Sequence, residues 1–259
     1  AVQKLIKYEK PDKIFHLEAH TFVRASFDDP HEFLNNNFTS TLNLLEAVKD
    51  LKKKPVIHIA GSSEEYGLVK PEETPINEDN PLRPLSPYGV SKILEEKLAY
   101  QYGVSYKIPV ILTRAFNHEG AKRGRQFFIS NMCYQVAQIE AGLIKPIIYV
   151  GNLEAERDIT HVRDMVRAYW LSSEKCIPGE IYNIGSGETH TMNEVLQLIL
   201  QLSKVKIQVK QDKKRLRPSD VEILLCDNSK FVEKTGWKPI YDLGDVIGEN
   251  LEYWRERVK

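Results

Sequence analysis

Residues 55–67, Pro55-Val-Ile-His-Ile-Ala-Gly-Ser-Ser-Glu-Glu-Tyr-Gly67, decide the fold. The apolar run up to Ala60 has the length and the β-branched content of a strand buried on both faces. The small and polar residues after it mark an abrupt exit from the strand. On either side the pattern repeats. Upstream, Asn37 to Lys49 carries Leu42, Leu44, Leu45 and Val48 on one face and predicts a helix. Downstream, Tyr88 to Tyr102 predicts another helix, and Pro109-Val-Ile-Leu-Thr-Arg114 another buried strand. At the start, Val2, Leu5 and Ile6 predict a helix that Pro11-Asp12 ends, followed by a short strand, Ile14-Phe-His-Leu17. Buried strands alternating with helices predict an α/β fold: a Rossmann-like parallel sheet wrapped by helices. Because a complete domain of this type usually starts with a strand, the first βα units are expected to lie outside the 259 residues.

Residues 68 to 87 hold Pro71, Pro75, Pro81, Pro84 and Pro87, which predicts a long ordered loop of the kind that is usually functional. Beyond Arg114 the texture changes. A basic loop with Lys122, Arg123 and Arg125 precedes helices predicted at Phe127 to Ala141, His161 to Ser173 and Asn193 to Leu202, with a closing helix to Trp254. Strands are predicted at Ile147 to Val150, Ile181 to Ile184, Val205 to Val209 and near Val221 to Leu225. This predicts a sheet domain over 1–118 and, over 119–259, mainly a small C-terminal α/β lobe with some segments returning to the sheet.

Of the 259 residues, 42% are hydrophobic and 28% charged, enough apolar surface for a core. Lys plus Arg and Asp plus Glu both number 36, which argues against broad electrostatic attraction to nucleic acid or an anionic membrane. Cys133, Cys176 and Cys226 form no C-x-x-C pair and read as buried small hydrophobes in a reducing compartment. No run approaches 18 apolar residues and the N-terminus lacks a signal-peptide core. A cytoplasmic protein with no membrane or nucleic-acid partner is expected.

The most informative constellation is Tyr88-Gly-Val-Ser-Lys92. Residues four apart on a helix share a face, so the Lys92 ammonium is expected close to the Tyr88 phenol, favouring phenolate. The same ammonium could hold the ribose hydroxyls of a cofactor. Taken alone the spacing is weak, since a surface tyrosine beside a solvated lysine satisfies it equally. Ser62, Ser63 and Glu64 strengthen it, because they leave a strand at its carboxyl end, where open α/β sheets bind ligands. Serines there also commonly serve as turn or helix caps. His16 and His20 flank Glu18 on a strand, not on the helix a metal pair needs, and no metal site is expected.

These segments resemble the extended short-chain dehydrogenase/reductase family of sugar-nucleotide epimerases, dehydratases and 4-ketoreductases. The resemblance runs nearly end to end. It includes Phe15-His-Leu-Glu-Ala-His20, Gly61-Ser-Ser-Glu-Glu-Tyr-Gly67, Ser86-Pro-Tyr-Gly-Val-Ser-Lys92 and Arg114-Ala-Phe-Asn-His118. It continues with Gly151-Asn-Leu-Glu-Ala-Glu-Arg-Asp158, Tyr182-Asn-Ile-Gly-Ser-Gly187, Leu216-Arg-Pro-Ser-Asp220 and Thr235-Gly-Trp-Lys-Pro239. The Gly151 to Asp158 and Arg217 to Asp220 segments look like the GDP-mannose branch, home of 4,6-dehydratases and 4-keto-6-deoxy-sugar reductases. The resemblance implies an NAD(P)-binding first domain, NAD or NADP as cofactor, a GDP-sugar substrate and a homodimer formed through the helices 37–49 and 88–102. It implies Tyr88 as acid/base, Lys92 as its partner on the nicotinamide ribose, Ser62 on the sugar 4-oxygen and Glu64 as the dehydratase base. Leu17, Ala19, His20, His118 and Arg123 match cofactor-contacting positions. Ser63, Asn117, Arg157 and Arg217 match substrate positions, and guanidinium forks suit diphosphate oxygens in any case.

Two departures stand out. The family's G-x-x-G-x-x-G phosphate loop does not occur in the 259 residues, and Glu18 and His20 replace small and amide residues. Within the family, the wording around Ser62 and Tyr88 favours the reductase, whereas Glu64 and the Asn-His-Glu with Lys122-Arg-Gly124 favour the dehydratase. A reductase is expected, a dehydratase is the alternative, and a non-catalytic nucleotide-sugar-binding homologue is a third reading. A serine hydrolase is disfavoured because no G-x-S-x-G elbow is present.

Overall fold

The computed structural model describes residues 1–212 and 221–258. Helix α1 (Val2–Glu9) leads into strand β1 (Lys13–His16), followed by the short α2 (Val23–Asp28) and the long α3 (Pro30–Val48). Strand β2 (Val56–Ser62) ends in a 3-10 turn, and the proline-rich loop separates it from α4 (Pro87–Tyr106). Then come β3 (Val110–Ala115), β4 (Asn117–Glu119), α5 (Phe128–Glu140), β5 (Ile147–Val150) and β6 (Glu156–His161). Helix α6 (Val162–Lys175), β7 (Ile181–Ile184), β8 (Thr189–Thr191), α7 (Met192–Gln201) and β9 (Gln208–Gln211) follow. The chain closes with β10 (Ile223–Leu224), α8 (Ser229–Thr235) and α9 (Leu243–Arg255).

The first sheet is parallel throughout, in the order β1-β2-β3-β7. Strand side chains alternate between its faces. Val110 and Leu112 of β3 join Ile57 and Ile59 of β2 against Leu44, Leu45 and Val48 of α3 and Ala99 and Tyr102 of α4. Ile111 points the other way, to Met165, Ala168 and Tyr169 of α6 and Phe231 and Trp237. This is the Rossmann-like arrangement read from the sequence. A second core is built where α5, α7 and α9 pack over β5 and β6. The three cysteines are buried free thiols. Among the described residues no helix is long and apolar enough to cross a membrane.

Several boundaries differ from the sequence reading. Helix α3 starts at Pro30, seven residues before the expected start at Asn37. Asp29 caps it by accepting from Glu32 N at 2.9 Å and Pro30 takes the first turn, two start signals that outweigh the missing stripe. Helix α4 starts at Pro87, where Ser86 Oγ accepts from Gly89 N at 3.0 Å. The strand expected at 205–209 forms at Gln208–Gln211, because its register is set by pairing Ile147 with Gln208 across β5. The loop 68–87 contains a 3-10 turn at Pro71–Glu73 and is tied to the C-terminal tail, with Ile76 N donating to Leu225 O at 2.8 Å and Asp227 N to Ile76 O at 2.9 Å. Helices α2 and α8 and strands β4, β6 and β8 carry too little periodicity to be foreseen.

Candidate active site

The carboxyl end of β2 is shaped by close backbone approach. A Cβ at Gly61 would lie 2.4 Å from Thr113 O of β3, so only glycine fits there. One residue on, Ser62 closes the strand in a reciprocal cap: its Oγ accepts from Glu64 N at 3.2 Å while Glu65 Oε1 accepts from Ser62 N at 2.8 Å. The first turn of α4 rests directly on this turn, since a Cβ at Gly89 would come within 2.6 Å of Glu64 O. That contact carries the Tyr88 phenol into hydrogen-bond reach of the Ser62 side chain. Ser62 is therefore a cap and a partner of Tyr88 at once.

Lys92 follows one turn later and is buried with Tyr88. Its ammonium donates to Glu95 Oε2 at 2.9 Å rather than sitting as a solvated charge. Glu95 also accepts from Thr41 Oγ1 of α3 at 3.3 Å, and Thr41 pairs with His16 Nε2 of β1 at 2.9 Å. The expected lowering of the Tyr88 pKa is not found. Burial pushes the phenol well above its ordinary value, and the nearby carboxylates Glu95, Glu64 and Glu65 add to the shift against the opposing Ser62 hydrogen bond. The sequence pattern contained Lys92 but not the counter-ion that neutralises it. Tyr88 is a proton-bearing phenol.

Opposite lies a cleft of about 520 Å³, which brings together Ser62, Ser63, Glu64 and Tyr88 with Asn117, His118, Arg123 and Arg157. The register of β4 on β6 presents Asn117 and His118 at its rim. Burial pushes His118 down to about 4, so its ring is neutral, with Nδ1 against Phe116 O at 3.0 Å. Arg123 stacks on Phe127 at 3.6 Å and faces Glu119 at 3.7 Å. Burial pushes Glu119 up to about 7. Arg157 is braced by the carbonyls of Glu156 at 2.8 Å and Glu222 at 3.4 Å.

Arg24 of α2 and Arg125 also line the cleft. Neither was singled out from the sequence, although Arg125 lies in the basic loop that was noticed. Arg24 had no signal, because α2 itself was not foreseen. Four arginines thus face two glutamates, a balance suited to a dianion.

Leu17, Ala19 and His20 leave β1 outside the lining of this cleft. Leu17 is exposed. The His20 ring turns toward Phe33 at 5.4 Å, while the His20 backbone N–H donates to Asn37 Oδ1 at 2.7 Å. Burial raises the Glu18 pKa, but hydrogen bonds from Ser40 and Asn36 outweigh it and hold the carboxyl below its usual range. Arg217 lies outside the described residues.

A parallel sheet wrapped by helices, with a serine, a tyrosine and a buried lysine at its carboxyl edge, defines a member of the NAD-dependent epimerase/dehydratase class of short-chain dehydrogenases/reductases. Residues 1–250 match the family model described as GDP-mannose 4,6 dehydratase, and the chain belongs to that family. It is 31% identical over 251 residues to GDP-6-deoxy-D-mannose reductase of Pseudomonas aeruginosa, covering 97% of this chain and 83% of that protein. It is also 31% identical over 277 aligned positions to GDP-mannose 4,6-dehydratase of Yersinia enterocolitica, covering 95% and 73%. Among solved structures, RMD from Pseudomonas aeruginosa complexed with NADPH superposes with a TM-score of 0.90 at 30% identity, covering 95% and 82%. UDP-glucuronic acid 4-epimerase of Bacillus cereus, solved with NAD, reaches 0.87 at 26%, covering 99% and 78%.

The residues present fit the nicotinamide-ribose end of such a cofactor. Lys92 is a buried ammonium with a single hydrogen-bond partner among the described residues, so two of its three donors are uncommitted. Leu17 offers an exposed apolar surface at the end of β1.

Proposed function

We propose that this chain is an NAD(P)-dependent enzyme of the GDP-mannose series that reduces the 4-keto group of a GDP-4-keto-6-deoxy-hexose. The observation that carries this reading is Tyr88: a buried, proton-bearing phenol paired with Ser62 at the edge of a cleft. Such a group is a proton donor to a carbonyl oxygen. NADH or NADPH, when bound, supplies hydride. Ser62 polarises the ketone, Tyr88 gives its proton to the developing alkoxide, and Lys92 holds cofactor hydroxyls with its uncommitted donors. Leu17, Ala19, His20, His118 and Arg123 are proposed to contact the cofactor. Ser63, Asn117, Arg157 and Arg217 are proposed to hold the substrate, and Arg24 and Arg125 add charge for its diphosphate.

The second reading is dehydration of GDP-mannose. It is favoured by Glu64, which lines the cleft two residues from Ser62 and can remove the C5 proton, then return it to the departing C6 hydroxyl. The two are separated by incubating the protein with GDP-mannose and NADP or NAD without reductant, and with GDP-4-keto-6-deoxy-mannose plus NADPH. Oxidation of NADPH in the second mixture alone is expected. A 4-keto-6-deoxy product from the first mixture would overturn the reductase-only assignment.

We further infer a division of labour, with residues 1–118 serving the cofactor and 119–259 mainly the substrate, β7 returning to the first sheet. A homodimer through α3 and α4 is proposed because Val90, Leu94, Tyr100 and Val104 leave apolar surface exposed on α4. A cytoplasmic location is proposed from the three free thiols.

A further inference from the structure

Two side chains of opposite charge meet on the wall of the cleft without closing on each other. Glu119 ends β4 and is only 8% exposed, and its Oε2 is buried with no hydrogen-bond partner. Arg123 follows four residues later. Its Nε is buried and unpartnered too, 3.7 Å from Glu119 Oε1 and so beyond hydrogen-bond reach. Arg255 of α9 and Glu140 of α5 show what a structural pair does, closing in a fork at 2.7 Å on both sides. Glu119 and Arg123 are held short of that. The register of β4 on β6 fixes Glu119, and a Cβ on the next residue, Gly120, would lie 2.4 Å from Val162 Cγ1. The Arg123 carbonyl accepts from Ser130 Oγ at 2.7 Å, while its guanidinium lies on the Phe127 ring at 3.6 Å. The gap is thus set by two anchored walls, and both residues line the cleft.

We propose that Glu119 is the positioning residue of Arg123 and a built-in competitor for it: the diphosphate diester of a bound nucleotide takes the guanidinium, and Glu119 takes up a proton in exchange. The proposal rests on the reading that Arg123 contacts a bound ligand, and deepens it. With the carboxyl on the Nε side, the remaining guanidinium N–H groups make no hydrogen bond among the described residues and suit phosphate oxygens. An ionised Glu119 neutralises Arg123 and repels an approaching phosphate, whereas a protonated one does neither. The coupling is reciprocal, so a phosphate on Arg123 favours the protonated carboxyl by the same free energy. Burial, against the opposing Arg123 charge, pushes Glu119 up to about 7, which makes both forms available near neutral pH.

The groups around the pair come from every element packed on it. Burial, reinforced by Arg123 against the opposing contact with Phe116 O, pushes His118 of β4 down to about 4, so its ring stays neutral. Burial pushes up the Cys133 thiol of α5 and the Tyr169 phenol of α6; Glu119 adds to the first and Arg123 opposes the second. Arg125 is turned to the Tyr134 ring at 4.8 Å. His161 of β6 pairs with Glu119 in register, but its ring faces Glu249 of α9 at 3.3 Å. Glu119 is thus the ion-pair partner of Arg123 among the described residues.

The test is titration calorimetry of the full chain with GDP-mannose and with NADH, whose phosphates are diesters of constant charge between pH 6.5 and 8.5. Each titration is run in two buffers of different ionisation enthalpy, which counts the protons exchanged. With NADH the wild type is expected to take up about half a proton at pH 7.5 and to bind roughly fivefold more weakly at pH 8.5 than at 6.5. Those are the values for a carboxyl whose pKa rises by about one unit on binding. Glu119→Gln, which keeps the shape and cannot ionise, should take up none and bind equally at both pH values. Uptake with GDP-mannose instead supports the proposal and assigns the phosphate to the substrate. Uptake with neither ligand, or the same uptake in Glu119→Gln, overturns it. Should Glu119→Gln fail to fold, the 13Cδ titration of Glu119 in the wild type decides: a midpoint that rises when ligand is added is expected, and one that stays overturns the proposal. Failure of the underlying reading shows separately, since Arg123→Met would then bind both ligands as tightly as the wild type at pH 6.5, which removes both.

Discussion

Glu95 and Glu96 are neighbours on the same helix, both buried, and their surroundings have little in common. Glu96 is held by the Arg114 guanidinium in a two-pronged contact at 2.8 and 3.0 Å, with Lys97 at 2.7 Å. Burial raises its pKa, but these partners outweigh it and keep the carboxyl below the usual range. Arg114 goes on to Tyr66 at 3.0 Å, which donates to Asn183 of β7 at 2.7 Å, so the network stitches α4 to the sheet. Glu95 has one lysine, one hydroxyl and an orphaned oxygen, and burial leaves its pKa raised. A satisfied network specifies structure; a half-satisfied one is a cost retained at a working site. Consecutive residues diverge because a helix turns about 100° per residue, which points Glu96 at β3 and Glu95 at α3.

Breaking each side should therefore fail in a different currency. On the Lys92 side, Tyr88→Phe removes one hydroxyl and is expected to lower turnover by roughly 10²–10⁴ with little change in the unfolding midpoint. Steady-state kinetics alongside urea unfolding checks both halves, and unchanged turnover would remove Tyr88 from the mechanism. On the Arg114 side, Arg114→Met strands Glu96 beside Glu65, whose carboxyl burial and Glu96 already push upward. A loss of roughly 3–5 kcal/mol in urea unfolding is expected there.

A smaller effect tests whether the Lys92–Glu95 pair is dispensable for folding. Lys92→Met should destabilise by roughly 3 kcal/mol, the low end for a broken buried pair, and adding Glu95→Leu should restore most of it, since a buried pair replaced by apolar residues is often tolerated. If the double variant is no more stable than the single one, the pair is structural like its neighbour. Smallest is Glu119, the buried carboxyl of the facing wall, pushed by burial up to about 7. A raised folded pKa contributes stability below the unfolded value near 4.5 and loses it as pH rises through 7. Glu119→Gln should thus match the wild type at pH 5 and exceed it by roughly 1–3 kcal/mol at pH 8, read from unfolding midpoints at both pH values.

The sequence by itself determined the strands and the chemistry that rides on them. Period and length mark Val56–Ala60 and Val110–Arg114 as buried strands because local burial is written in consecutive residues. The segments around Ser62 and Tyr88 are legible as motifs because close backbone approaches at Gly61 and Gly89 and a fixed helical spacing shape them, whereas Asn117 and Arg157 are legible only through the family resemblance. What only the tertiary structure decided is which groups from distant segments meet. Thr41 reaches Glu95 from 54 residues away and also pairs with His16, Arg24 joins Arg123 and Arg157 on one cleft, and the C-terminal tail pins the proline-rich loop at Ile76. Those meetings set charge and burial together. The protonation state of Tyr88 depends on the sum of that environment, not on the one lysine a helical repeat can reveal.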